Sequence, residues 1–346
     1  MRRGALATLA LFAGWGAMLA GVARAASPAH YQPPEGAPYH AEEVRVRTTG
    51  LYSLGGTFTT PLNGHRHPAV VLISGAGRQD RDNAIPGFDY RPFYDIADTL
   101  SRRGLAVLRL DDRGVGASTG KLDSMTLNDR AADARSALEF LRSRPDVDRN
   151  RIALAGYAEG GWIANLLAAE DPEIAALVLM EWPGSASEAA AAARRRRSAV
   201  PVDSAYASLV QAWENNAARD VWWLGGGFDP IETARGVRAA VLILQRSGTD
   251  DGRRPVAAES LAAPWRGRGN VNVVVRTFDG LDPLLLRAAD VDPDMASNRT
   301  FQVPHPVRGA LAEWLNTRLD PDSEPKLQSP PPAKHRRGHG LRRRRH

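Results

Sequence analysis

Short apolar runs alternate with amphipathic stretches along most of the chain. Near the start, the segments EEVRVRT and GGTFTTP alternate apolar and polar positions and predict an opening β-hairpin. Several later runs are apolar at nearly every position, which is typical of strands covered on both faces of a parallel sheet. The runs that predict strands lie at 69–74, 105–110, 151–156, 175–180, 240–245 and 271–278.

Helical patterns separate these runs. They lie at 91–104, 127–144, 159–170 and 306–319. Regular alternation of strand and helix predicts an α/β fold with a mostly parallel, doubly wound sheet of about eight strands and right-handed crossovers. One segment, 184–236, breaks the alternation with alanine-rich and polar helical patterns. It is predicted to form a short helical cap over the carboxyl ends of the strands, where ligands bind in such sheets. The core then comprises 38–183 and 237–320.

The two ends of the chain differ from the core. Residues 1–25 begin with two arginines, continue as an apolar run and finish in Ala-Arg-Ala, which predicts a cleaved signal peptide. Export to a periplasmic or secreted location follows, with no membrane span after cleavage. Residues 26–37 are interpreted as a linker. Residues 321–346 are rich in proline and arginine, without hydrophobic periodicity, and predict a disordered basic tail.

Charge and cysteine content narrow the function classes. The net charge is +6, but three leader arginines and seven basic residues after position 333 supply ten positive charges, so the remainder carries about −4. The tail is a candidate site for an anionic envelope polymer. No aromatic residue lies among its arginines, so specific nucleic-acid binding is not expected. The chain has no cysteine, and its histidines show no helical pairing, so neither a metal site nor a cofactor is predicted.

A strand–turn–helix at 151–170 carries the main chemical signal. Its turn reads Gly156-Tyr157-Ala158-Glu159-Gly160, which matches the G-x-S-x-G elbow that presents a nucleophilic serine. Alanine stands where the serine belongs. A methyl group cannot attack a carbonyl carbon, so this position is inactive for covalent catalysis.

Ordered sequence blocks extend the match beyond the elbow. They read APYHAEEVRVR, AVVLISGAGRQDRDN, RRGLAVLRLDDRGVGASTG, RIALAGYAEGGWIA, VWWLGGGFDP and AVLILQ. Together they resemble the secreted α/β-hydrolases related to prolyl oligopeptidases and serine aminopeptidases, over about Pro38 to Leu319. The resemblance implies the α/β-hydrolase fold. It also implies an oxyanion hole formed by the backbone N–H groups of Ala76 and Glu159.

The same resemblance points to a degenerate catalytic triad. The family's histidine segment matches Gly280-Leu281-Asp282-Pro283, which puts Pro283 in the place of the base. Asp250 or Asp251 is the possible remnant of the acid, or an ordinary turn. His305, just before the last helix, is either a displaced base or a loop histidine. Candidate pocket residues are Gly75, Gly77, Arg78, Tyr157, Trp222 and Trp223.

Arg78, Arg81 and Asp82 follow the oxyanion loop in sequence. They are interpreted as a buried ion-pair network or, alternatively, as a site for a substrate carboxylate.

Three functions remain open on this basis. The favoured one is an exported, catalytically silent pseudo-hydrolase that retains a pocket for a small acyl or peptide-like ligand or a protein partner. The second is an active esterase- or peptidase-type hydrolase with a displaced nucleophile, either Ser74, Ser185 or Ser187, near His305. The third is an envelope polyanion-binding module that acts through the basic tail.

Overall fold

The computed structural model describes most of the predicted core. The described residues are 33–64, 66–121, 125–185, 208–209, 211–212, 215, 228–247, 258–282, 284–286 and 301–319. The predicted signal peptide, the first part of the linker, most of the cap segment and the basic tail lie outside these ranges. So do Asp250, Asp251, Trp222, Trp223, Pro283 and Ser187.

An eight-stranded sheet forms the centre of the molecule. Its order is β1-β2-β4-β3-β5-β6-β7-β8. The hairpin β1–β2 and the pair β2–β4 are antiparallel, and all other neighbours are parallel. This confirms the prediction of a mostly parallel sheet of about eight strands that opens with a hairpin. The strands are Tyr39–Arg47, Ser53–Pro61, His67–Ile73, Ala106–Leu110, Val147–Tyr157, Ala176–Met180, Ala240–Arg246 and Val273–Phe278, numbered β1 to β8.

Helices cover both faces of the sheet. Alternation along the strands decides which face each side chain meets: in β3, Val71 packs with α2 and α3, whereas Val70 packs with α1 and α6. Each face therefore has its own apolar layer. In chain order, the described helices α1 to α6 are Pro92–Ser101, Leu127–Ser143, Gly160–Glu170, Pro230–Ala234, Ala258–Arg266 and His305–Leu319.

Local signals account for the starts of two helices. Pro92 occupies the first turn of α1, where its missing N–H is not needed. Thr126 caps α2: its side chain accepts from the N–H of Asp129, and the Asp129 carboxylate accepts from the N–H of Thr126. This reciprocal pair satisfies two donors that the first helical turn leaves without partners.

Within the described ranges, the structure contains two helices that the pattern did not predict, α4 at Pro230–Ala234 and α5. Helix α5 spans Ala258–Arg266 and includes Pro264, a residue that argues against a helix interior. Tertiary packing offsets that effect, because the fully buried Trp265 donates from Nε1 to Oδ1 of Asn165 in α3, at 3.0 Å. No helix within the described ranges combines the length and apolarity needed to cross a bilayer.

Candidate functional site

The turn between β5 and α3 has the geometry of a nucleophile elbow. Ala158 lies at its apex with φ of 48°, a left-handed conformation that costs a residue other than glycine roughly 1–2 kcal/mol. The Ala158 N–H donates to the carbonyl oxygen of Met180 at 2.9 Å, and the Gly161 N–H donates to the carbonyl oxygen of Ala158 at 2.9 Å. The scaffold therefore maintains the strained turn although the side chain at its apex is a methyl group.

Two glycines make the turn sterically possible. A Cβ on Gly156 would lie 2.4 Å from the carbonyl oxygen of Gly160. A Cβ on Gly160 would lie 2.3 Å from the carbonyl oxygens of both Ile73 and Ser74. These are backbone contacts that no side-chain rotation can relieve. The close packing of α3 against β3 therefore depends on these glycines, whether or not the site reacts.

A buried arginine in α2 holds the loop after β3 in place. Arg130, in α2, donates from Nη1 to the carbonyl oxygen of Gly75 at 3.1 Å and from Nη2 to that of Gly77 at 2.9 Å. Its Nη2 also contacts Oδ2 of Asp112 at 3.1 Å. Asp112 in turn accepts from the hydroxyl of Ser74 at 3.1 Å. The loop that should supply the oxyanion donor is thus held to α2 and to Asp112 in the turn after β4.

The backbone donor of that loop already has an acceptor within the chain. The Ala76 N–H donates to Oε2 of Glu159 at 3.2 Å. A Cβ built on Gly75 would lie 3.3 Å from that oxygen and 3.3 Å from Cβ of Ala158. The Glu159 carboxylate and the methyl group of Ala158 therefore both lie next to Gly75. Of the two donors that the resemblance assigns to the oxyanion hole, the N–H of Ala76 is thus bound to the side chain of Glu159, the residue whose N–H is the other.

The segment that resembles the histidine loop also reaches the elbow. Asp282 shapes it, since its Oδ1 accepts from the N–H groups of Leu284 and Leu286, at 2.8 Å each. Leu284 and Leu285 are buried and line a cavity of about 10 Å³ with Tyr157 and Tyr90. That space is about the minimum that one water needs. Leucine side chains therefore pack against the elbow on this side.

Comparisons with known proteins agree with this fold. The family model described as serine aminopeptidase, S33, matches residues 89–197. An esterase of Pyrococcus furiosus has a similar structure, with a TM-score of 0.57 and 16% sequence identity, over 84% of this chain and 94% of that one. This protein has the α/β-hydrolase fold.

Sequence relatives match a shorter region. An uncharacterised protein of Mycobacterium tuberculosis is 38% identical over 138 residues, which is 40% of this chain and 44% of that protein. Esterase EstD of Thermotoga maritima is 33% identical over 141 residues, which is 40% of this chain and 30% of that esterase. The matched region thus spans less than half the length of either relative. The chain therefore has esterase-like relatives among proteins of related sequence.

Among the described residues, no hydrogen bond joins Ser74 to His305, the candidate displaced base. The hydroxyl of Ser74 is bound to Asp112, and Ser74 lines a cavity of about 60 Å³ between β3 and α2 that no described histidine lines. His305 is exposed and starts α6, which packs on α1. Ser185 follows Gly184, whose carbonyl oxygen accepts from Nε1 of Trp162 at 2.9 Å.

The interpretation of the arginines after the oxyanion loop as an ion-pair network is confirmed in part. Arg81 is buried and pairs with Asp111 at 2.9 Å and with Glu43 at 2.6 Å. Asp82 pairs with the fully buried Arg109. Arg78 is different, because it is at the surface and donates to the carbonyl oxygen of Gly114 at 3.2 Å.

The loop before α6 rests on a buried carboxylate. Oδ2 of Asp95, in α1, accepts from the N–H of Val303 at 2.9 Å. Burial raises the pKa of Asp95 to about 6, against the opposing effects of this hydrogen bond and of Arg308. Across the described ranges, no three His, Asp or Glu side chains form a group that could hold a metal ion.

Proposed function

We propose that this protein is an exported, catalytically silent α/β-hydrolase-fold protein. The observation that carries the proposal is Ala158, which places a methyl group at the apex of an otherwise complete elbow. Removing one member of a catalytic triad reduces activity about as much as removing all three, and leaves only roughly 10³-fold catalysis over water. Once the nucleophile is lost, the base and the acid of the triad contribute little further to the rate.

Two further features support silence. The sequence has Pro283 where the resemblance places the base, and proline can neither accept nor donate a proton there. The described residues on either side of it, Asp282 and Leu284, belong to a loop that packs leucines against Tyr157. The Ala76 N–H, which would bind an oxyanion, is already bound to a carboxylate. The nucleophile, the base and one oxyanion donor are therefore all altered.

We assign ligand binding to the edge of the sheet at the carboxyl ends of its strands, where the elbow lies. In this proposal the elbow, the loop after β3 and the cap segment hold a small acyl or peptide-like ligand or a protein partner. The leader at 1–25 supports export, and the basic tail supports an additional contact with an anionic envelope polymer. Displaced catalysis is less well supported, because Ser74 is bound to Asp112 and its cavity has no described histidine.

Covalent labelling tests catalytic silence directly. The mature protein is treated with a fluorophosphonate probe and, separately, with a short-chain nitrophenyl ester. Wild type, Ala158→Ser and Ala158→Ser/Pro283→His are compared. We expect wild type neither to label nor to turn over, and the double variant to gain labelling at position 158. Ala158→Ser alone controls for a serine that lacks a base.

One result would refute the silent-enzyme proposal. If wild type labels at another serine, and ester turnover is lost when that serine is replaced, the protein is an active hydrolase with a displaced nucleophile. Binding is tested separately by the thermal shift that butyrate or an N-acetyl dipeptide produces. Ala158→Trp, which places a bulky side chain at the apex of the elbow, should abolish that shift. Deleting residues 325–346 should leave it unchanged and should weaken binding to an anionic polymer such as heparin.

A further inference from the structure

The contact between Glu159 and Ala76 has a consequence for the site beyond the missing serine. We propose that Glu159 is a built-in occupant of the oxyanion donor, so that the chain's own carboxylate closes this site independently of the residue at position 158. The inference concerns the same site as the proposed function and rests on it in that respect. The observation behind it is the hydrogen bond from the Ala76 N–H to Oε2 of Glu159.

The position of Glu159 favours this contact. It is the residue immediately before α3, where the backbone N–H groups and the helix dipole stabilise negative charge. Its side chain makes no capping hydrogen bond to its own helix, and reaches instead to the loop after β3. No lysine or arginine in the described ranges pairs with it. The Ala76 N–H is therefore the main partner of this carboxylate, in a charge-assisted hydrogen bond.

The loop that carries the donor is the fixed part of the pair. Arg130 holds the carbonyl groups on both sides of Ala76, those of Gly75 and Gly77. Ala76 itself is buried, at 4% exposure. Glu159, by contrast, is partly exposed and has a side chain with several rotatable bonds. Opening the donor thus requires rotation of the Glu159 side chain and no movement of the loop.

Besides the missing base, two independent changes separate this site from a reactive one. The nucleophile is missing, and an anion already occupies the donor that would stabilise a developing oxyanion. Replacing Ala158 by serine corrects only the first change. Removing the Glu159 carboxylate corrects the second and leaves the Ala76 N–H open to an external carboxylate or oxyanion.

Amide NMR of the full mature protein tests the contact with acetate as the probe. In Glu159→Ala we expect the Ala76 amide proton to move upfield, because it loses a charged acceptor. Acetate should then shift the Ala76 resonance saturably in Glu159→Ala, and should leave it unchanged in wild type at the same concentration. Glu170→Ala is the matched control, since Glu170 ends the same helix and is exposed. It should behave as wild type in both measurements.

Labelling kinetics test the effect on reactivity. On the Ala158→Ser/Pro283→His background, the serine oxygen displaces fluoride from the phosphonate and the oxyanion donor stabilises the transition state. One such donor is worth roughly 10²–10³-fold in rate, so we expect Glu159→Ala to raise the labelling rate at least tenfold. Glu170→Ala on the same background should leave the rate unchanged.

The two proposals fail in different ways. If wild type labels at another serine, the silent-enzyme proposal fails, while the acetate titration still decides the role of Glu159. If the triple variant labels no faster than the double variant, or if acetate shifts Ala76 equally in wild type and in Glu159→Ala, the role assigned to Glu159 is wrong and catalytic silence is untouched. If the double variant does not label at all, the acetate titration alone supports or overturns the assignment.

Discussion

Replacing Gly160 by alanine should disrupt the packing of the elbow, whereas the same replacement at Gly161 should be tolerated. Both glycines are buried, lie side by side in the first turn of α3 and would gain the same helix propensity from a methyl group. They differ in what that methyl group meets. At Gly160 it meets the backbone carbonyl oxygens of Ile73 and Ser74, each at 2.3 Å.

The distances from the added methyl group to its neighbours set the expected loss in the free energy of unfolding. A distance of 2.3 Å falls short of ordinary van der Waals separation by roughly 1 Å, so α3 must move away from β3. Overpacking of this kind costs about 1–3 kcal/mol and sometimes more, and here no rotamer change can relieve it. A gain of up to ~1 kcal/mol in helix propensity offsets only part of that loss. With the cost at the upper end of that range, we expect Gly160→Ala to lower the free energy of unfolding by about 2 kcal/mol or more.

At Gly161 the new methyl group would lie 3.3 Å from Cδ2 of Leu179 and from Cε3 of Trp182. These are side-chain atoms that can shift by a few tenths of an ångström, so we expect the stability of Gly161→Ala to stay within about 1 kcal/mol of wild type. Urea denaturation followed by tryptophan fluorescence and circular dichroism gives both free energies. Equal midpoints for the two variants would show that contacts with β3 do not determine the elbow, and the steric argument would be wrong.

Two further predictions concern buried charges. Arg130→Met should lower the free energy of unfolding by about 3 kcal/mol or more, because it removes the buried ion pair with Asp112 and the donor to the carbonyl oxygens of Gly75 and Gly77. Arg135→Met, which breaks the exposed pair with Glu170, should change it by less than about 1 kcal/mol, and similar losses for the two variants in urea melts would contradict this. Since burial raises the pKa of Asp95 to about 6 from an ordinary 3.8, its proton is bound more tightly in the folded state, and its contribution to stability falls as pH rises from about 4 to 6. The free energy of unfolding of Asp95→Asn should therefore match that of wild type near pH 4 and exceed it by up to ~3 kcal/mol above pH 6. Thermal melts that show no such pH-dependent difference would contradict the raised pKa of Asp95.

The strands and the elbow were predictable because their signals are local. Runs that are apolar at nearly every position can be accommodated only between two layers of helices, and the structure places them there. The starts of strands were less predictable. Strand β5 begins at Val147, four residues earlier than its apolar run, because the polar residues before it extend the strand and Val147 pairs with His67. Cross-strand pairing of this kind leaves no hydrophobic pattern.

The candidate site was predictable only in its backbone. The glycine-bounded turn indicated the conformation of Ala158, and the segment before Pro283 indicated a loop beside the elbow. The direction of the Glu159 side chain could not be predicted from the sequence. It depends on a contact with Ala76, which lies more than 80 residues away along the chain. Arg130 was missed for a different reason. It lies on the same buried stripe of α2 as Ala134 and Leu141, and a basic residue on an apolar stripe is the signal that could have identified it.

The elbow persists in this chain because helix packing requires its glycines. The motif can therefore be retained after the catalytic chemistry is lost. Gly156 and Gly160 allow α3 to approach β3 and β5, and Arg130 ties the loop after β3 to α2. Each of these features would be needed for stability in a protein that never reacted. Glu159 is the residue of the turn whose side chain packing constrains least, because it is partly exposed and belongs to neither apolar layer. Selection for a binding function would therefore act on this position, and substitutions of Glu159 should change the ligand-induced thermal shift while leaving the urea midpoint almost unchanged.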